Sequence, residues 1–219
     1  MRLLVVNPNT SEDVTARIRA AALAAAEPGE HVTTITAASG PRLIVTEADG
    51  ERAVQGVIEA IRLFADPFDG VVLASFGDTG AAAVRDLYPD IPVRGIAEAV
   101  FGDIKAFGKP FSIVTFAPEL VPSLRHMAER HGVSDLLMEV AAVPGPLTHA
   151  AGEVADALAE HMSVLCRACA ANGAQSIVLG GGPLAGLAHR IQPGCPVPVI
   201  DSTQSAIKQL RHIHRATSV

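Results

Sequence analysis

Three segments in the first half of the chain recur in the second half at a nearly constant distance along the sequence. VVNPNT (5–10) corresponds to VTFAPE (114–119), VVLASFG (71–77) to IVLGGGP (177–183), and PVRGIAEA (92–99) to PVIDSTQS (198–205). Asn7 and Thr115 of the first pair lie 108 positions apart, and the other two pairs of segments are offset by 106 positions. Such regular spacing indicates an internal duplication. The 219 residues are therefore expected to fold as two similar lobes.

Apolar and β-branched runs alternate with helical patterns along the whole chain. Strands are predicted at 2–6, 31–36, 70–75, 91–93, 111–115, 136–143, 175–179 and 197–200. Strands that alternate with helices are typical of a parallel sheet covered on both faces. The sequence predicts an α/β fold with two pseudo-symmetric lobes, each a mainly parallel four-stranded sheet flanked by helices. The first lobe is predicted over 1–100 plus 201–219, because the last helix is expected to pack back on it, and the second over 101–200.

Capping signals predict where several helices begin. Thr10, with Asp13 three residues later, predicts the start of a helix over about 11–26. Thr46 and Asp49 repeat this spacing before a helix that extends to about residue 65. The longest helix is predicted over about 147–171.

Composition excludes several function classes. The net charge is −6 and the cationic residues form no run, so nucleic-acid binding is not expected. No apolar stretch reaches the roughly 18 residues that span a bilayer, and the start, MRLLVVNPNTSED, lacks the apolar core of a signal peptide. We therefore expect no membrane partner and a cytoplasmic location. Three cysteines argue against a disulfide framework. Cys166 and Cys169 have the C-x-x-C spacing of a metal or redox pair, but they lie in a predicted alanine-rich helix without a second pair, so no metal site is predicted.

Four loops follow predicted strand ends and are expected to line a cleft between the lobes, at 7–10, 75–80, 115–118 and 180–186. Ligands of such folds bind beyond the carboxyl ends of the strands. Glycines there let backbone N–H groups approach a carbonyl or carboxylate. The candidate substrate-binding residues are Asn7, Asn9, Phe76, Gly77, Thr115, Phe116, Gly181, Gly182 and Pro183.

Few side chains in these loops are suited to catalysis. Ser75 is the candidate nucleophile or proton carrier, and Asp78, three residues on, is the candidate to orient or activate it. Glu98 and Asp201 follow equivalent strands and either approach the cleft or cap their helices. His149 and His189 lie nearest predicted loops, and the other histidines, at 126, 131, 161, 212 and 214, are predicted on helix surfaces.

Together these segments resemble a known family. VVNPNT, VVLASFGDTG, IPVRGIAEA, FSIVTFAPELVP, IVLGGGPLAGLAHRI and VPVID resemble, in this order, the aspartate/glutamate/hydantoin racemase superfamily, and most closely its hydantoin and allantoin racemase branch. The resemblance implies two facing α/β lobes and a small nitrogen-containing carbonyl or carboxylate substrate. It also implies proton transfer by two cysteines on opposite faces of the substrate, no cofactor, and a homo-oligomer.

Both cysteine positions of that family hold other residues here. The first motif reads Ala74-Ser75-Phe76-Gly77-Asp78, and the second reads Leu179-Gly180-Gly181. A serine hydroxyl is a far weaker acid than a thiol, and glycine has no side chain.

Three functions remain open. One is a racemase or isomerase with another acid/base pair. The second is a hydrolase or lyase of a small cyclic amide or carboxylate, with Ser75 and a glycine-loop oxyanion hole. The third is a non-catalytic binder. Ser75→Cys combined with Gly181→Cys is expected to give racemisation if the cleft is still racemase-like.

Overall fold

The computed structural model describes residues 1–217 and contains two parallel four-stranded sheets. The strands are β1 (Arg2–Asn7), β2 (His31–Thr36), β3 (Gly70–Leu73), β4 (Val93–Gly95), β5 (Phe111–Thr115), β6 (Leu137–Ala142), β7 (Ser176–Leu179) and β8 (Val199–Ile200). The first sheet has the order β2-β1-β3-β4 and the second has the order β6-β5-β7-β8. The same order in both halves confirms the predicted α/β fold with two pseudo-symmetric lobes.

The outer strands β4 and β8 both begin directly after a proline. Pro92 and Pro198 accept hydrogen bonds from the neighbouring strand, from Val71 N–H at 3.0 Å and Ile177 N–H at 2.8 Å. Because proline has no N–H to donate, the ladder starts only at the next residue. This moves β4 two residues beyond the predicted start at 91 and shortens β8 relative to the predicted 197–200.

Nine α-helices connect and cover the strands within residues 1–217. They are α1 (Glu12–Ala25), α2 (Glu47–Leu63), α3 (Ala81–Leu87), α4 (Ile96–Phe107), α5 (Val121–Arg130), α6 (Val154–Ala157), α7 (Ala159–Ala171), α8 (Leu187–Ile191) and α9 (Ser202–Thr217). The capping box of Thr46 and Asp49 at α2 is confirmed. The predicted cap of α1 at Thr10 is wrong, because Ser11 accepts the hydrogen bond from Val14 N–H.

The predicted long helix over 147–171 is also wrong. Its first part forms turns, and only α6 and α7 are helical, separated at Leu158. Contacts with α1 hold the irregular part: Arg17 Nε donates to the carbonyl oxygen of Gly152 at 2.9 Å. Gly152 also lies so near Asp13 that an added Cβ would be 2.3 Å from the Asp13 Cβ. Tertiary contacts have overridden the helical propensity of this alanine-rich segment.

The helices α4 and α9 follow the last strand of their sheets and pack against each other. Gln209 of α9 donates from Nε2 to the Ala99 carbonyl at 2.7 Å and to Asp103 Oδ1 at 2.8 Å. The helix α9 also packs against α1, where Arg211 Nη2 donates to the Ala25 carbonyl at 2.6 Å. The helix that leaves the second sheet thus covers helices of the first half. The division at 1–100 plus 201–219 stays a prediction, and residues 218–219 lie outside the described residues.

Candidate active site

The loops that follow β3 and β7 meet where the two lobes face each other. A Cβ added at Gly182, in the loop after β7, would lie 2.5 Å from the carbonyl oxygen of Ala74, in the loop after β3. Real Cβ atoms do not come that close to a backbone oxygen, so only glycine permits this contact. The sequence analysis placed Ser75 and Gly181 in these two loops, and the structure brings both loops together.

Ser75 lies two residues beyond the end of β3 and is buried. Its Oγ accepts a hydrogen bond from the backbone N–H of Thr79 at 3.1 Å. No side chain within residues 1–217 makes a hydrogen bond to this hydroxyl. Because the oxygen already accepts from a backbone N–H, its own proton is free to be donated to a ligand. The arrangement suits a hydrogen-bond donor and lacks the neighbouring base that an activated serine nucleophile needs.

Asp78 holds the Ser75 loop to the start of α4. Its carboxylate accepts the N–H groups of Ala97 at 2.9 Å and Glu98 at 3.0 Å, and it makes no hydrogen bond to Ser75. A Cβ at Gly95, the residue before α4, would lie 2.0 Å from Asp78 Oδ1, so the carboxylate fills the space that this glycine leaves. The structure therefore makes Asp78 a positioning residue that fixes the loop carrying Ser75.

His131 approaches the same carboxylate from the second half of the chain. Its Nε2 lies 3.4 Å from Asp78 Oδ2, and its ring centroid lies 5.6 Å from that of Phe101. The side chain is only 25% exposed, so the prediction of a helix-surface histidine is wrong. The sequence contains one indication that His131 does not lie on an open helix surface, because Gly132 directly follows it. This glycine, with a φ of +65°, ends α5 and turns the chain back.

Gly181 lies two residues beyond the end of β7, the position equivalent to that of Ser75 beyond β3. Its φ is +144°, which L side chains rarely adopt. A Cβ there would lie 2.6 Å from Cε1 of Phe116, whose ring is buried beside it. A cysteine at residue 181 therefore requires both a strained backbone and displacement of Phe116. The racemisation expected from Ser75→Cys combined with Gly181→Cys stays a prediction, and it requires Phe116 to move.

Asn7 and Thr115, the last residues of β1 and β5, use their side chains to hold neighbouring loops. Asn7 Nδ2 donates to Asn9 Oδ1 at 2.9 Å and to Thr15 Oγ1 at 3.0 Å, and Asn7 Oδ1 accepts the N–H of Asn9 at 3.1 Å. Thr115 Oγ1 donates to the carbonyl oxygen of Gly180 at 2.8 Å. All three side chains, Asn9 included, are buried. They shape the two loops from within.

The other predicted binding residues differ in how far a ligand can reach them. Phe76 is buried, with its ring centroid 5.5 Å from that of Phe101, and Gly182 and Pro183 are buried at the start of a short 3-10 helix. Gly77 is exposed and Gly181 is half-buried. Among the predicted binding residues, these two glycines therefore have the most accessible backbone.

A groove of about 660 Å³ lies between α1 and α8 and includes Ala185 and Gly186 at the end of the 180–186 loop, but neither Ser75 nor Gly181 lines it. Arg17 and Arg190 line it, and each is ion-paired with Asp156. At its edge the buried Asp201 accepts the N–H of Gly186 at 2.6 Å and that of Gln204 at 3.1 Å. Burial raises the pKa of Asp201. Asp201 thus ties the end of the glycine loop to α9.

The remaining predicted helpers lie outside the loop contact. Glu98 forms ion pairs with Arg85 and Arg94, the latter at 3.3 Å. His189 is exposed at the mouth of the groove, and His149 is exposed in the turns before α6. Within the described part of the chain, none of these three side chains makes a hydrogen bond to Ser75 or lies against Gly181.

The three cysteines are all buried and free. Burial raises the pKa of Cys166 and of Cys169 to about 12, which keeps these thiols protonated at neutral pH. Both lie on α7, and Cys195 follows α8, away from the loops that carry Ser75 and Gly181. Among residues 1–217 no group of three or more His, Cys, Asp or Glu side chains is arranged to hold a metal ion, and no helix is long and apolar enough to cross a membrane.

Comparisons with known proteins agree with this architecture over nearly the whole chain. The sequence model of the family described as Asp/Glu/Hydantoin racemase matches residues 3–210. A hydantoin racemase from Paenarthrobacter aurescens is 32% identical over 211 residues, covering 95% of this chain and 89% of that protein. An allantoin racemase from Klebsiella pneumoniae superposes with a TM-score of 0.89 at 34% identity, covering 99% of this chain and 89% of that one. An allantoin racemase from Pseudomonas fluorescens gives the same TM-score at 28% identity, covering 99% and 92%. The chain therefore belongs to the Asp/Glu/hydantoin racemase family and is an enzyme of the racemase and isomerase type.

Proposed function

We propose that the protein is a racemase-like isomerase that acts without a cofactor on a small nitrogen-containing ring compound of the hydantoin or allantoin kind. The reaction takes place where the loops 75–80 and 180–186 meet. The observation that carries the proposal is the close approach of Gly182 to the carbonyl oxygen of Ala74, which brings together the loops that carry Ser75 and Gly181. The sequence relatives are named for hydantoin racemisation and the structural relatives for allantoin racemisation, which supports this substrate class.

The local chemistry supports stabilisation of an enolate. Removing the α-proton of a cyclic amide leaves negative charge on the adjacent carbonyl oxygen. The Ser75 hydroxyl has its oxygen occupied by Thr79 N–H and its proton free, and the backbone around Gly77 is exposed beside it. Hydrogen-bond donors that are already in place lower the energy of such a charge without reorganising.

The proton transfer itself does not use thiols in this proposal. The pKa of about 12 for Cys166 and Cys169 keeps both thiols neutral, and both lie in the core of the second half. We infer that solvent hydroxide admitted beside the exposed Gly77 accepts the α-proton and becomes water, while Ser75 holds the carbonyl. The enzyme is further proposed to act in the cytoplasm as a homo-oligomer, without nucleic-acid or membrane partners.

Proton NMR in D2O tests the proposal on single-enantiomer hydantoins and allantoin. Loss of the α-proton signal, with the ring intact and faster than in a sample without enzyme, is the expected result. New open-chain or decarboxylated products would instead establish a hydrolase or lyase. Ligand-dependent thermal stabilisation without any conversion would establish a binding protein and overturn the proposal.

A further inference from the structure

Asp78 has a backbone conformation that few side chains adopt. Its φ is +49°, and among residues 1–217 it is the only residue other than glycine with a positive φ. This left-handed conformation is uncommon for a residue with a side chain and persists where the surrounding structure holds it. Asp78 N–H donates to the Ser75 carbonyl at 3.0 Å, so the conformation of Asp78 sets the turn that carries Ser75.

Contacts from two parts of the chain hold the Asp78 carboxylate. The N–H groups of Ala97 and Glu98 come from α4. His131 comes from the end of α5, and its Nε2 lies 3.4 Å from Asp78 Oδ2. The Asp78 side chain is only 12% exposed, so little water competes with these partners. Because α5 packs on β6, His131 links the Ser75 loop to the second sheet.

The ring of His131 reaches the same loop by a second route. Its centroid lies 5.6 Å from that of Phe101 in α4, and the Phe101 ring meets that of Phe76 edge-on at 5.5 Å. Lys105, also on α4, donates from Nζ to the His131 carbonyl at 3.3 Å. His131 is therefore held against the helix that connects the two sheets. From there it contacts Asp78 directly and Phe76 through Phe101.

We infer that His131 is a positioning residue, which from the second half of the chain holds the loop that directs the Ser75 hydroxyl. The inference rests on the proposed function, in which Ser75 donates to the developing enolate oxygen. His131 fixes the Asp78 carboxylate, and the carboxylate holds the turn that carries Ser75. An interaction made only in the transition state changes kcat and leaves KM nearly constant. Loss of the His131 side chain is expected to have this signature.

The kinetics of α-proton exchange in D2O test the inference on the hydantoin or allantoin enantiomer that the parent exchanges fastest. His131→Leu is expected to lower kcat roughly 10-fold, with KM little changed, because a misplaced donor stabilises the enolate poorly. In a Ser75→Ala background the same change is expected to lower kcat by less than about two-fold, since the hydroxyl that His131 positions is absent.

The possible failures of this experiment are distinct. An equal loss of kcat in both backgrounds, or an unchanged kcat in folded His131→Leu, would overturn the inference and leave the isomerase function intact. Absence of exchange in the parent protein would overturn the proposed function and the inference together.

Two conservative variants separate the polar contact of His131 from its ring contact. His131→Gln keeps an N–H donor for Asp78 and is expected to retain most of kcat. His131→Phe keeps a ring against Phe101 without a donor, and its kcat is expected to fall as far as that of His131→Leu. The opposite order would contradict the route through Asp78. His126→Leu is the matched control, because His126 lies on the same helix with a side chain that is 65% exposed.

Amide hydrogen exchange measured by mass spectrometry gives a readout that needs no substrate. The peptide over 75–80 contains the N–H groups of Asp78 and Thr79, which both donate within the loop to Ser75. His131→Leu is expected to exchange several-fold faster in this peptide, whereas His126→Leu should match the parent. If His131→Leu does not fold, His131→Phe takes its place. Unchanged protection in the folded variant would contradict the positioning role.

Discussion

Asp78 and Asp201 make the same connection in their two lobes, between the loop after the third strand and the helix after the fourth. Asp78 lies in the loop, whereas Asp201 lies at the start of the helix. Asp78 extends from the loop after β3 to the first N–H groups of α4, and Asp201 extends from the start of α9 back to Gly186 N–H in the loop after β7. Gly95 and Asp201 occupy equivalent places in the repeat, 106 positions apart. The Asp78 carboxylate fills the space over Gly95, where the second lobe has a side chain of its own. Each lobe thus uses one carboxylate to fix the loop that borders the site.

Asp78→Asn is expected to weaken both stability and turnover. The amide keeps one acceptor oxygen but loses the charge that α4 favours at its N-terminus, at a cost of about 1–2 kcal/mol. The Ser75 loop loses its attachment, so exchange activity falls as well. Urea unfolding monitored by circular dichroism measures the first effect. Asp90→Asn, on an exposed residue, is the control and is expected to be neutral; equal behaviour of the two variants would contradict the role of Asp78.

Gly181→Ala is expected to destabilise the protein by more than its backbone conformation alone explains. Gly145 also has a positive φ, of +95°, but an added Cβ there meets nothing within 4 Å. Gly145→Ala therefore measures the backbone cost, roughly 1–2 kcal/mol, and the collision with Phe116 adds about 1–3 kcal/mol at residue 181. Unfolding free energies of the two variants give the difference. Phe116→Leu in the Gly181→Ala background should recover part of it, and no recovery would place the strain elsewhere.

Ser75→Ala is expected to reduce α-proton exchange by roughly 10²-fold, the usual effect of removing one donor to a developing oxyanion. Folding should be little affected, because only the hydrogen bond from Thr79 N–H is lost, worth about 1 kcal/mol. Initial exchange rates in D2O at saturating substrate provide the measurement, and Ser134→Ala, at an exposed serine, provides the control. Retention of full activity in Ser75→Ala would remove Ser75 from the mechanism.

The acid sensitivity of folding is expected to depend on Glu30. The hydrogen bond from Arg211 lowers the pKa of Glu30 below its ordinary value of 4.5. A lowered folded-state pKa contributes stability that is complete above pH 4.5 and is lost as the pH falls through the folded pKa. Glu30→Gln should therefore be less stable than the parent at pH 7, with the difference shrinking below pH 4.5. Melting temperatures from pH 2.5 to 7 test this, with Glu51→Gln as an exposed control; a difference that is constant with pH would refute it.

The cysteines are expected to be unreactive in the folded protein. Burial and a pKa of about 12 for Cys166 and Cys169 leave almost no thiolate at pH 8. Titration with a chromogenic disulfide should detect no thiol in buffer and three in 6 M urea. Rapid reaction of one equivalent in buffer would point to an accessible thiol and reopen thiol chemistry for the enzyme.

The duplicated sequence was sufficient to predict the two-sheet architecture. Each repeated segment carries a strand, or the end of one, and the residues that directly follow it, and both are local in the chain. The capping box at Thr46 and Asp49 was predictable for the same reason, because its partners lie three residues apart. Family motifs also placed Ser75 and Gly181 at equivalent strand ends.

Contacts between distant residues were not predictable in this way. The close approach of Phe116 to Gly181 depends on the β5–β7 register. The hydrogen bonds that Asp78 accepts from Ala97 and Glu98 connect a loop to a helix that starts later in the chain. The predicted helix over 147–171 is interrupted where Arg17 donates to the Gly152 carbonyl, and no local sequence pattern predicts this hydrogen bond. Asn7 illustrates the same limit: its position at a strand end suggested ligand binding, whereas its amide is held by Asn9 and Thr15.

Because α9 is the last helix to be synthesised, the surfaces of α1 and α4 that it covers stay uncovered while the second half of the chain is made. Arg211 on this helix binds the Ala25 carbonyl and Glu30, and Gln209 binds Ala99, so α9 covers surfaces of α1 and α4. The ribosome makes α9 after every strand of both sheets. At usual elongation rates the finished first sheet waits on the order of 10 s for this cover. During that interval a chaperone or a second nascent chain can reach apolar surface on α1 and α4 that the finished enzyme conceals.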